Sequence, residues 1–252
     1  MQLVVLGSGT AIPVADRFPA GYLLRHGSRR VLVDCGPGTL RRLAQAGESP
    51  RDLDAVLLTH YHTDHCADLA ALLFALRSPT FAGRAPLRLY GAPGLQRLVG
   101  KLTEAWPWLE PRGYELQLVE LAPGPFAVAG LEACAVPIRH TAQSLGYRLL
   151  GDTGSIAFSG DADECDELVE LARDVDVFVC EAATPDGQKL DGHLTPRLTA
   201  GYAARANVRR LVLTHFYPEC SGHDLRAAAA SAFAGEVILA EDLQQLTVQA
   251  SA

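Results

Sequence analysis

The sequence predicts an α/β fold, an αββα sandwich in which two β-sheets lie face to face with helices flanking them. Three observations carry this. Short β-branched or leucine-rich runs bounded by turn residues recur along the whole chain. Amphipathic helical patches lie between several of them. The 252 residues contain no linker, repeat or low-complexity stretch, so one domain over 1–252 is expected, a length within the range of a single large α/β unit.

The strand candidates begin with Leu3–Leu6, Tyr22–Leu24, Val31–Val33, Ala55–Leu58, Leu87–Tyr90, Leu116–Leu121 and Leu131–Ile138. They continue with Tyr147–Leu150, Ile156–Phe158, Val175–Val179, Leu211–Leu213, Val237–Leu239 and Leu243–Val248. Gly151-Asp-Thr-Gly154 between two of these runs reads as a tight hairpin. After His65, Leu69, Leu72, Leu73 and Leu76 share one helical face. Similar patches occupy Leu95–Glu104, Asp166–Ala172, Pro196–Ala206 and Asp224–Phe233, with Thr195 as N-cap and Pro196 opening its helix.

Composition narrows the function classes. Hydrophobic residues make up 48% and charged residues 20%, which is ordinary globular usage. The net charge of −7 argues against an extended nucleic-acid surface, which a basic excess would mark. The pairs Arg29–Arg30, Arg41–Arg42 and Arg209–Arg210 read as solvated surface. Six scattered cysteines form no C-x-x-C pair, and Cys180 sits in an apolar run as a buried thiol. Reduced thiols fit a cytoplasmic protein. The opening Met1-Gln-Leu-Val-Val-Leu-Gly7 reads as a first strand, so no secretory leader is expected, and no apolar stretch reaches the roughly 20 residues that span a bilayer.

The chemistry concentrates in Ala55-Val-Leu-Leu-Thr-His60-Tyr-His62-Thr-Asp64-His65. An apolar strand ends, and three imidazoles and one carboxylate follow at once. His60 and His62, two apart in extended backbone, project to one side and can share a metal. The chain then turns into a helix, which aims Asp64 and His65 at a second site. Imidazole with carboxylate suits zinc, iron, manganese or cobalt. A lone histidine is seldom a ligand, whereas four candidate ligands at this spacing behind a buried strand argue against coincidence.

This pattern resembles the hallmark H-x-H-x-D-H of the metallo-β-lactamase superfamily. The resemblance extends to His140 after Pro137-Ile-Arg, to Asp161 after Phe158-Ser-Gly, and to His215 after Leu211-Val-Leu-Thr. It covers nearly the whole chain from Gly7-Ser-Gly-Thr10 onward. It implies that His60, His62, His140 and Asp161 hold one divalent ion, and that Asp64, His65, Asp161 and His215 hold another. The ions would be zinc, with manganese or iron as alternatives, and Asp161 would bridge them. A hydroxide between two such ions, roughly 3.5–4 Å apart, is a nucleophile at neutral pH. Asp34, ending the Val31–Val33 run, is read as an acceptor that orients a ligating imidazole, or else as a turn residue before Gly36.

Within the superfamily, four segments are similar to the ribonuclease Z and phosphodiesterase branch: Gly7–Pro13, His140–Arg148, Cys180-Glu181-Ala-Ala-Thr184 and Gly192-His193-Leu-Thr195. By that resemblance His193 is the general acid at the leaving oxygen and Glu181 its orienting partner. Two departures stand out. Cys180 and Leu194 replace a histidine and a serine of the branch. The long arm with which ribonuclease Z grips transfer RNA has no room, because the interval between the third and fourth motifs is a hairpin.

The expected function is therefore a dinuclear metal-dependent phosphodiesterase acting on small or cyclic phosphodiesters or short RNA. A ribonuclease Z-type transfer-RNA 3′ endonuclease is the alternative within the branch. A lactone, carboxyl-ester or thioester hydrolase keeps the metals but changes the bond. A non-catalytic metal-binding module ranks below these, since no ligand is missing. A homodimer is open, by likeness to the branch. Arg148, Ser144 and Ser8 are pocket-lining or structural. His26 and His223 match no motif and read as surface.

Overall fold

The computed structural model describes residues 1–250. In chain order it contains β1 (Gln2–Gly7), β2 (Gly21–His26), β3 (Arg29–Val33), α1 (Thr39–Gln45), β4 (Ala55–Leu57), α2 (Thr63–Cys66), α3 (Asp68–Ala75), β5 (Leu87–Gly91), α4 (Leu95–Ala105) and β6 (Leu116–Glu120). There follow β7 (Gly124–Val128), β8 (Leu131–Pro137), β9 (Leu145–Gly151), β10 (Gly154–Phe158), α5 (Glu167–Ala172), β11 (Val177–Glu181), α6 (Pro196–Arg205), β12 (Arg210–Thr214), α7 (Leu225–Ala230), β13 (Glu236–Leu239) and β14 (Gln245–Thr247).

The strands build two seven-stranded sheets, ordered β14-β1-β2-β3-β4-β5-β6 and β13-β12-β11-β10-β9-β8-β7. Side-chain alternation along each strand decides what packs where. Val5, Tyr22, Val33 and Leu57 of the first sheet meet Tyr147, Phe158, Val179 and Val212 of the second in the central core. Their neighbours Val4, Leu32 and Val56 point outward onto Leu43, Leu69, Leu73 and Val99 of the helices. On the other side Ala157, Phe178 and Leu211 face Leu168, Leu171, Ala203 and Ala229. The order of layers is helix, sheet, sheet, helix, as the sequence predicts.

Strands β3 to β6 run parallel, and so do β10 to β13. Parallel strands covered on both faces read as unbroken apolar runs, which is why Val31–Val33 and Val177–Val179 are legible in the sequence. They also send several carboxyl ends toward one rim, where open α/β sheets place their ligands.

The hairpin is confirmed: Gly151 pairs with Gly154 across the turn between β9 and β10. Three elements go beyond the expectation. Strand β7 contains Gly124 and Pro125, which mask a strand signal, and Pro is tolerated there because β7 is an edge. Helices α1 and α2 are too short to show periodicity, and α1 starts from Gly38 at φ 91°. Thr195 does stand at the N-cap of α6, but its side chain makes no capping bond. Among the described residues no helix is long and apolar enough to cross a membrane.

Two buried hydroxyls tie the sheets together beneath the rim. Tyr147 donates to the Leu58 carbonyl at 2.7 Å, and Tyr22 pairs with Thr214 at 2.9 Å. Leu58 lies two residues before His60, so the first bond also fixes the strand end that carries the histidines. Replacing Tyr147 by Phe strands a buried carbonyl and is expected to cost about 1–3 kcal/mol in denaturant unfolding. An unchanged midpoint would show that this bond does not hold the strand end.

Candidate metal centre

The rim collects side chains from the ends of six strands. Asp34 follows β3, His60 lies just past β4, and His140 past β8. Asp161 lies past β10, Glu181 ends β11, and His215 follows β12 directly. Asp64 and His65 come from the single turn α2. Asp34 and His215 both adopt the left-handed backbone region, at φ 59° and 60°, which bends the chain sharply where each strand stops. Such strain in non-glycine residues persists where the surroundings enforce it, and it concentrates at functional sites.

Asp161 is at the centre and 3% exposed, and its two oxygens face different partners. Oδ2 lies 3.6 Å from His60 Nε2 and 3.7 Å from His140 Nε2. Oδ1 lies 3.1 Å from His65 Nε2 and 3.2 Å from His215 Nε2. His62 Nδ1 approaches His140 Nε2 at 3.2 Å, and Asp64 Oδ2 approaches His215 Nε2 at 3.4 Å. Two compact groups result, one of His60, His62, His140 and Asp161 and one of Asp64, His65 and His215, each able to hold an ion. All seven predicted ligand residues are thus brought together.

The outer hydrogen bonds explain why the imidazoles present Nε2 inward. His65 Nδ1 donates to Asp34 Oδ2 at 2.8 Å, and His140 Nδ1 donates to the Gly192 carbonyl at 2.8 Å. The Thr59 hydroxyl donates to Asp34, so it is left to accept from His60 Nδ1 at 3.1 Å. In each case Nδ1 is engaged from behind, which leaves Nε2 as the atom that faces the cluster. Asp34 therefore orients a candidate ligand and is no mere turn residue. Its Oδ1 also accepts the Thr59 N–H at 2.8 Å.

The electrostatics fit a divalent ion. Burial, and then the charge of His65, push the His60 imidazole down to about 2, so it is neutral at any ordinary pH. Burial works against ionising Asp161, yet His215 and His65 hold its carboxyl well below the usual range. His60 Nε2 and Asp161 Oδ1 are buried and make no hydrogen bond. Stranded polar atoms at the focus of a carboxylate and imidazole set are the expected sign of a metal site.

Beside the cluster, His193 Nδ1 lies 3.2 Å from both oxygens of Glu181. Glu181 is buried and fixed by the Ala162 and Leu194 N–H groups at 2.5 and 3.1 Å. Burial pulls the His193 imidazole down, but the Glu181 bond and charge outweigh it and raise the pKa. The His193 ring stacks on His215 at 5.6 Å and 17°, within reach of Asp161.

Other sequence assignments resolve differently. Ser8 is buried and donates to Asp242 at 2.8 Å, and Ser144 accepts from the Thr141 N–H at 3.0 Å, so both hydroxyls are engaged within the scaffold. Arg148 lines a separate cleft with Cys134, Glu170 and Arg173. His223 is exposed, while His26 is half-buried. Tyr217, which carries no motif signal, has its ring 5.6 Å from His193 and 5.8 Å from His215. The supporting roles of Thr59, Asp163 and Gly192 also escaped the sequence reading, since Asp34, Gly192 and His140, with which they pair, are distant in the chain.

The family model of the β-lactamase superfamily domain matches residues 29–216, well over half of the chain. The chain belongs to the β-lactamase superfamily. Among curated members, Ribonuclease Z of Mycobacterium bovis (strain BCG / Pasteur 1173P2) is 32% identical over 277 aligned positions, covering 98% of each chain. Ribonuclease Z of Nocardia farcinica is 33% identical, with 97% of each covered. Of solved superfamily structures, the metallo-β-lactamase fold protein YhfI from Bacillus subtilis superposes with a TM-score of 0.86 at 25% identity, over 97% of this chain and 98% of the other. The short form of human tRNase Z gives 0.79 at 25% identity, over 99% and 100%. This superfamily member is accordingly a metal-dependent hydrolase with Ribonuclease Z homologues.

Replacing Asp34 by Asn removes the anionic acceptor behind His65. Zinc affinity, read by competition with a chromophoric chelator, is expected to fall about 10–100-fold. Native affinity in Asp34→Asn would show that Asp34 only shapes the turn.

Proposed function

We propose that this protein is a dinuclear phosphodiesterase of the cytoplasm that cleaves small or cyclic phosphodiesters or short RNA. The observation that carries this reading is the Glu181–His193 pair beside the bridging position of Asp161. An alkoxide leaves a phosphodiester poorly without a proton, whereas attack on an activated acyl group needs far less help.

His60, His62, His140 and Asp161 would hold one ion, and Asp64, His65, Asp161 and His215 the other. Divalent ions there supply Lewis-acid stabilisation of phosphoryl charge and ready deprotonation of water. The chain's own residues do the rest. Glu181 engages His193 Nδ1, which leaves Nε2 as the atom that delivers a proton to the departing oxygen. The stack on His215 keeps the ring edge toward the cluster.

Substrate size follows from the surroundings. A cleft of about 430 Å³, lined by Thr10, Pro13, Phe18, Pro37, Thr63 and Asp64, opens beside the candidate ligand Asp64. That volume suits a nucleotide-sized group. The arginine pairs give little to a polyanion, because Arg29, Arg30, Arg42 and Arg209 are engaged by Asp54, Glu48, Asp242 and Asp176 at 2.7–2.9 Å. The β9–β10 hairpin replaces the transfer-RNA arm. Free cysteines fit a reducing compartment.

A second reading, cleavage at the 3′ end of transfer-RNA precursors, is favoured by the name Ribonuclease Z that the relatives carry. Zinc- or manganese-loaded protein should hydrolyse bis(p-nitrophenyl) phosphate and short oligonucleotides in preference to lactones, thioesters and precursor transfer RNA. Faster turnover of the precursor would favour the second reading, and faster turnover of acyl substrates would exclude both. In His193→Ala, diesters with poor leaving groups should slow by about 10²–10⁴-fold and those with good ones far less. Equal losses would remove His193 from the acid role.

A further inference from the structure

Asp163 lies two residues beyond Asp161 and is 8% exposed. Its carboxylate is held on three sides. Oδ1 accepts from the Glu164 N–H at 2.8 Å and from the Lys189 ammonium at 2.6 Å, while Oδ2 accepts from the Gly192 N–H at 3.0 Å. Its own N–H donates to the carbonyl of Arg139, next to His140, at 2.6 Å.

Gly192 is the joint between two functional histidines. Its carbonyl accepts from His140 Nδ1, and its chain neighbour is His193. Its φ is +82°, and a Cβ there would lie 3.2 Å from His140 Nδ1, so the backbone comes as close to the ring as a glycine permits. The preceding residues 187–191 are exposed and form no helix or strand. A loop of this kind does not hold a carbonyl to a fraction of an ångström by itself. The bond to a buried carboxylate does, since a charged acceptor roughly doubles the strength of such a contact.

The contacts close a ring. It runs from Asp161 along the chain to Asp163, across to Gly192, across to His140, and back to Asp161 Oδ2 at 3.7 Å. We propose that Asp163 is a positioning residue that, through Gly192, sets both the tautomer and aim of His140 and the backbone from which His193 reaches the cluster. The His140 half stands on the geometry of the metal cluster, and the His193 half rests on the phosphodiesterase reading. If Asp163 only pinned a surface loop, its loss would lower stability and leave the chemistry of both histidines alone.

The test compares full-length native protein with Asp163→Ala and Asp163→Asn. Zinc affinity is read for each equivalent by chelator competition, and rates are read across aryl phosphodiesters of graded leaving-group pKa. In Asp163→Ala the equivalent held by His60, His62 and His140 should weaken by about 10–100-fold, while the one held by Asp64, His65 and His215 changes little. The dependence of rate on leaving-group pKa should steepen. Asp163→Asn keeps an oxygen for the Gly192 N–H, should fall between, and serves alone if the alanine variant does not fold. Native affinity for both equivalents, or equal weakening of both, would overturn the His140 half. An unaltered leaving-group slope would overturn the His193 half. If the native protein cleaves no phosphodiester, that half falls with the functional reading while the affinities still judge the first.

Discussion

The structure turns on one carboxylate whose two oxygens serve two different sets of imidazoles. Asp161 presents Oδ2 to His60 and His140 and Oδ1 to His65 and His215. A buried carboxylate in that position is costly unless positive charge surrounds it on both sides. The imidazoles do not satisfy every atom of the cluster, and the stranded Asp161 Oδ1 and His60 Nε2 mark the shortfall that cations would fill. Much of the rim can be understood as the means of keeping this arrangement rigid without them.

The rigidity comes from ordinary fold physics. Parallel strands end together, so residues just past β3, β4, β10 and β12 converge although they are far apart in sequence. Left-handed backbone at Asp34 and His215 turns the chain at the point of use. Acceptors behind the rings then orient them: Asp34 for His65, Thr59 for His60 and Gly192 for His140. Metal binding to such a site needs little reorganisation, which is what preorganised ligands contribute to affinity.

Much of this was legible in the sequence because the decisive residues are marked locally. His60, His62, Asp64 and His65 stand within one short segment, and Asp161 and His215 each close an apolar strand. Parallel strands buried on both faces announce themselves as apolar runs. What stayed hidden depends on pairing across space. Nothing near Asp163 or Gly192 in the chain indicates that they meet, and Tyr217 follows a ligand motif without belonging to it. Strand β7 was hidden for a different reason, since Gly124 and Pro125 argue locally against a strand that an edge position tolerates. The sequence left Ser8 and Ser144 open between pocket and scaffold, because small hydroxyls signal turns and buried bonds as readily as substrate contacts.

The proposed dinuclear site depends on Asp161 serving both metal positions at once. Zinc titration of metal-free Asp161→Ala, followed by chelator competition against the native protein, measures this directly. Shared ligation predicts two equivalents on the native chain and the loss of native affinity at both in the variant. One equivalent retained at native strength would contradict it.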